Sequence, residues 1–178
     1  MLRYLPRLVP PRTAPPGALV VPLIEAPPPS PHDEHELIPQ VAWMVERDGV
    51  FVHVAADERM ALDVMRGSAI LTMMDGELTN EVLEHVPGAT FATSGAYAAE
   101  LLLDHDHLAQ LHEILRASMY LAAAPYRGRL LFGGVRGGLD GMRGFVAHVR
   151  HEHDAAPAAD RISPLALLVR DGAPKGIV

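Results

Sequence analysis

Residues 41–55 read VAWMVERDGVFVHVA, two apolar, β-branched runs joined by Arg47-Asp48-Gly49. Asp-Gly between such runs marks a hairpin turn, because glycine accepts the positive φ that the turn requires. Both arms carry apolar residues at alternate and intervening positions alike, the pattern of strands buried on both faces. This hairpin is therefore expected to be interior β-structure around which the helices assemble.

Upstream of it, residues 18–25 (ALVVPLIE) read as a first strand, with Pro22 favouring an edge or a bulge. Residues 26–36 are polar and studded with proline, an exposed loop. Residues 1–17 form a proline-rich arm expected to run extended along the surface or to drape over the domain, leaving 18–178 as the domain. Downstream, 56–88 are helical in character, with Asp57 placed to cap a short helix ending near Gly67. Thr79 is followed three residues later by Val82, so no capping box forms there. ATFATSG (89–95) reads as a strand and 96–118 as helical, with Leu108, Leu111, Ile114 and Leu115 in an apolar stripe. SMYLAAAPYRGRLLFGG is a second hairpin turning at 125–128. Beyond it, Met142, Phe145, Val146 and Val149 share the inner face of a helix, and SPLALLVRDGAPKGIV (163–178) gives a strand and another Asp-Gly turn. Hairpins interleaved with helices predict an α+β fold: a single domain with a largely antiparallel sheet of hairpins packed with helices.

The 178 residues suit one buried core, and 49% hydrophobic against 21% charged residues is a globular balance. Cysteine is absent, which excludes disulfides, thiolate nucleophiles and Cys-based metal sites and fits a cytoplasmic location. Prolines interrupt the N-terminus before an apolar core of signal length, and no apolar stretch reaches membrane-spanning length. The net charge of −7 argues against nucleic acid and anionic membranes as partners. Charge is uneven, however: between Tyr126 and Arg150 five arginines (127, 129, 136, 143, 150) face one acid, Asp140.

This order of elements resembles the YtpQ-like family of bacterial proteins of unknown function. The likeness runs through RYLPRLVPP, ALVVPLIE, VFVHVAADERMA, TSGAYAAELLL, APYRGRLLF and ISPLALLVRDG, from about residue 3 to 172. The chain departs from the family's pattern at Gly128, where its members tend to carry an acid at the turn, and in its shorter N-terminus. The resemblance implies a fold and no reaction.

Three candidate sites stand out. GGVRGGLDGMRG (133–144) holds six glycines between a strand and a helix, the context in which backbone N–H groups cradle phosphate. Gly133, Gly134, Gly137 and Gly138 would line the cradle and Arg136 would pair with the anion. The run lacks both the P-loop ending and G-x-G-x-x-G, and Asp140 would repel phosphate. A mobile connector is the competing reading. The second candidate is HVRHEHD: His148 and His151 at i, i+3, with His153, have ligand spacing for zinc or a similar ion, although HExxH and HxxEH are absent. His105 and His107, beside Asp104 and Asp106, read as a surface helix start. The third is a basic strip of the five arginines, for an acidic protein or nucleic acid; ordinary solvated charge is the alternative. Neither Ser94 nor Ser163 lies in G-x-S-x-G.

No catalytic template fits, and no cofactor is expected. The leading expectation is a non-catalytic module that contacts another protein or itself as a homodimer through a sheet edge. A phosphate- or nucleotide-binding enzyme built on 133–144 and a histidine metal protein are the alternatives.

Overall fold

The computed structural model describes residues 3–24, 36–56 and 77–178. The Asp57 cap, the helix end at Gly67, His32, His35 and most of the 26–36 loop fall outside them.

The RDG hairpin is present. Strands β3 (Gln40–Arg47) and β4 (Val50–His53) pair antiparallel, from Met44 opposite His53 to Arg47 opposite Val50. Asp48 and Gly49 both take positive φ, 54° and 80°, the two-residue turn whose twist suits a hairpin. β3 organises a four-stranded sheet. One of its edges carries β1 (Tyr4–Val9), from Tyr4 opposite Val45 to Val9 opposite Gln40. Its other edge carries β2 (Val20–Pro22) along the first half and β4 along the second.

Two expectations need correction here. Tyr4–Val9 is no surface arm: it is almost entirely buried and hydrogen-bonded into the sheet, because Tyr4, Leu5, Leu8 and Val9 supply apolar area that an exposed arm would waste. Nor is the hairpin buried on both faces throughout. β3 is, but Val50 and Val52 of β4 are 61% and 38% exposed, so the second arm lies at the rim.

The strands around which the helices assemble belong to a second, six-stranded antiparallel sheet: β5 (Thr79–Val82), β6 (Ala89–Ser94), β7 (Met119–Ala123), β8 (Arg129–Gly134), β9 (Leu167–Arg170) and β10 (Ala173–Ile177). Their order is β10-β9-β7-β8-β6-β5. Residues 79–82, expected to be helical, are thus a strand; TNEV is exposed at all four positions, as suits an edge, and pairing with β6 overrides the helical character of the segment. The hairpin β7–β8 turns through Gly128 at φ 83°.

The centre of this sheet is covered on both faces, and strand periodicity assigns each residue there to one of them. Tyr120, Ala122, Leu130, Phe132, Leu167 and Val169 join a core shared with the four-stranded sheet and with the short 3₁₀ segment Ala99–Leu103 and helix α1 (His105–Leu115). Leu121, Ala123, Leu131 and Ala166 point the other way, onto Phe145 and Val149 of helix α2 (Gly138–Ala155). The stripe on α2 is as expected, with Met142 and Val146 packing at its margin. On α1, Leu108 and Leu111 are buried but Ile114 is 68% exposed; it lies beyond the edge of the core the stripe faces.

α1 starts where Asp104 accepts a hydrogen bond from the His107 N–H, 3.0 Å, and ends at Arg116 with φ 50°. α2 ends at Ala156, which precedes a proline. Among the described residues no helix is long and apolar enough to cross a membrane.

Candidate functional site

The glycine run does several jobs. Gly133 and Gly134 close strand β8, Val135–Gly137 forms one 3₁₀ turn containing Arg136, and α2 begins at Gly138, whose φ is 61°. At Gly133 a Cβ would lie 2.5 Å from the Gly88 carbonyl oxygen and 2.6 Å from the Phe145 ring. At Gly144 it would lie 2.6 Å from Pro87 Cβ. Both positions are glycine so that α2 and the turn at 87–88 can press against the sheet. Gly134 and Gly137, by contrast, line an open groove of about 330 Å³ together with Gly88, Thr90, Ile114 and Leu115. Asp140 is almost fully exposed and lies 3.7 Å from Arg143.

The three histidines do not converge. His148 Nε2 sits 3.0 Å from Glu152 Oε1, His151 is exposed, and His153 Nδ1 contacts its neighbour Asp154 at 3.1 Å. Among the described residues no three histidine or carboxylate side chains come together as a metal would require. Spacing alone suggested ligands, but the helix turns the three rings toward different neighbours. Of the five arginines of the basic strip, Arg129 points inward, while Arg143 is exposed 3.7 Å from Asp140.

That inward arginine centres a polar cluster the sequence reading missed. Ser94, Arg129 and Glu81 lie on neighbouring strands β6, β8 and β5, on the face beneath α2. Arg129 donates from Nε to Glu152 Oε2 at 3.1 Å and from Nη2 to Glu152 Oε1 at 3.2 Å, a two-pronged pair. Nη2 also reaches Glu81, and Nη1 donates to Ser94 Oγ at 2.7 Å. Arg129 and Glu152 are 11% and 14% exposed, whereas Glu81 is 55% exposed. Burial opposes the charge on Arg129, but the bonds from Glu152 and Glu81 outweigh it and hold the guanidinium above its ordinary value. Burial likewise pushes the nearby Tyr126 phenol up, Glu152 adding to the effect and Arg129 opposing it.

A signal for the cluster was present in the sequence. Glu152 falls three residues after Val149 and seven after Phe145, on the core stripe of α2. An acid on that stripe needs a buried cation, and β8 opens with one. With both carboxylate oxygens of Glu152 and four Arg129 N–H bonds committed, the arrangement ties α2 to three strands.

The remaining polar candidates are structural as well. His107 is half-buried rather than at the surface; its ring is 6.3 Å from Phe132, and burial holds it below the ordinary histidine value while Asp104 opposes. His112, not singled out in the sequence, bridges Ala117 O (2.9 Å) and the Gly172 N–H (3.2 Å), which assigns the ring proton to Nδ1. Ser163 donates to Leu37 O and accepts from the Leu165 N–H.

Comparison with protein-family models, curated proteins and solved structures finds no match for this chain.

Proposed function

We propose that this chain is a non-catalytic interaction module that self-associates through the β5 edge of its six-stranded sheet, forming a homodimer in the cytoplasm. The observation that carries this reading is the contrast between the two ends of that sheet. At one end β10 contains Pro174, Lys175 and a register break between Pro174 and Gly176, devices that discourage strand addition. At the other end all four residues of β5 are exposed, Val82 at 72%, with neither proline nor lysine among them. Antiparallel addition of a second β5 would extend the ladder and cover Val82. The absence of cysteine and the −7 charge support the cytoplasmic location and a protein rather than nucleic-acid partner. The resemblance to the YtpQ-like family belongs to the same reading and adds no activity to it.

Sedimentation at high protein concentration tests it. The wild type is expected as a dimer and Val82→Lys as a folded monomer; a strictly monomeric wild type removes the self-association.

A second reading, a phosphorylated ligand or nucleotide bound near 133–138, is supported by the groove that Gly134 and Gly137 line at the start of α2. A thermal-shift screen with nucleotides and sugar phosphates decides it: stabilisation lost in Arg136→Ala favours this reading, and no stabilisation in either protein refutes it.

A further inference from the structure

We propose that Arg7 and Glu100 form a proton-operated latch between the two sheets, which holds the four-stranded sheet in place while Glu100 is neutral and loosens it when Glu100 ionises. Glu100 lies in the 3₁₀ segment Ala99–Leu103, which packs between β1 on one side and β8 and β10 on the other. Its side chain is 0% exposed, and Arg7 Nε of β1 approaches its Oε1 at 3.4 Å. Neither carboxylate oxygen, nor Arg7 Nε, makes a hydrogen bond of good geometry. A carboxylate here has given up water on every side and regained one off-line cation and the poorly aligned N–H groups of Glu100 and Leu8, a poor exchange for a charge. A neutral carboxyl escapes most of that loss.

The other groups around the segment do not replace the missing stabilisation. On β8, Leu130 and Phe132 face this layer while Arg129 lies on the opposite face with Glu152. Lys175 of β10 is exposed. On α1, Asp104 is occupied as the helix cap and His107 lies against Phe132. Burial accordingly raises the Glu100 carboxyl above its ordinary value, and Arg7 and the N–H groups of Glu100 and Leu8 oppose this only in part.

The direction of the pH effect follows. Once opened, Glu100 titrates as an ordinary carboxyl, whereas the closed form keeps its proton to higher pH. Between those two values the closed form binds more protons, so opening becomes more favourable as pH rises, by up to about tenfold per pH unit.

Hydrogen exchange of the full chain, corrected for intrinsic rates, reads this from about pH 5 to about pH 8. The quantity is the protection of residues 4–9 and 40–47 relative to 119–123 and 129–134. The ratio is expected to fall with pH in the wild type and stay level in Glu100→Gln. If that variant does not fold, Glu100→Met carries the same comparison. A ratio that is level in the wild type, or falls equally in the variant, overturns the latch.

Discussion

Replacing Arg129 by Met tests whether the polar cluster under α2 is a clamp. The substitution keeps much of the side-chain volume but removes the two bonds to Glu152, the bond to Glu81 and the bond to Ser94. These losses differ in weight. Glu81 is 55% exposed and regains water, so its share is about 0–1 kcal/mol. Glu152 is only 14% exposed and loses the guanidinium, keeping only the His148 ring 3.0 Å from its Oε1. Orphaning one member of a fully buried pair costs about 3–5 kcal/mol; the residual exposure of both partners here reduces that to about 2–3 kcal/mol. For a chain of this size the melting temperature should fall by roughly 5–10 °C. Urea unfolding of Arg129→Met, Glu152→Leu and the double variant completes a thermodynamic cycle. The double variant should be less destabilised than the two single losses added together, by about 1–3 kcal/mol, because neither variant group leaves the other charged and unpaired. Single losses below about 0.5 kcal/mol, or strict additivity, would refute the clamp.

Three further outcomes are expected. Gly133→Ala forces a Cβ against the Gly88 carbonyl and the Phe145 ring and should destabilise by about 1–3 kcal/mol in urea unfolding; an unchanged midpoint would mean that α2 can shift outward freely. Asp104→Ala removes the bond to the His107 N–H and should lower stability by about 1 kcal/mol, while Asp104→Asn should retain most of it; equal losses in both would point away from capping. His107 is held below the ordinary histidine value by burial, so the unfolded chain takes up a proton in a range where the folded one does not. Its contribution is complete above about pH 6.5 and is lost as pH falls toward the folded value, so the acid-side decline in stability should be shallower in His107→Leu; identical slopes would exclude His107 as a source.

What was legible in the sequence was local. Asp48-Gly49 and Asp171-Gly172 both adopt the paired positive φ that their turns demand, and Phe145 and Val149 lie inward as the helical period requires. Signals of this kind are complete within a few residues. The assignment of strands to sheets was not local. VAWMV and LAAAP are both continuous apolar runs, and nothing within either states which will be covered twice. β7 and β8 are, because α2 and the α1 layer close on opposite faces; β4 is not, because little covers its outer valines. Tyr4–Val9 misled in the same way. Its prolines suggested an exposed arm, yet Pro6 fits at β1, where only one edge is needed to pair with β3.

The site was misread for a related physical reason. By chain neighbours alone, HVRHEHD suggests a metal and the arginines a strip. Their actual partners come from other elements: Arg129 and Glu152 are 23 residues apart, and Arg129 and Glu81 are 48 apart. Charge pairing in a folded chain answers to the face of the sheet and the inward stripe of the helix. A stripe is therefore best followed past its last apolar residue. On α2 it runs from Gly141 through Phe145 and Val149 to Glu152, and an acid there requires a cation on the strand beneath. Arg129 heads the β8 strand whose Leu131 and Gly133 lie on the face that meets this helix. Period-two reading of β8 and period-3.6 reading of α2 together select that pair, which neither period selects alone.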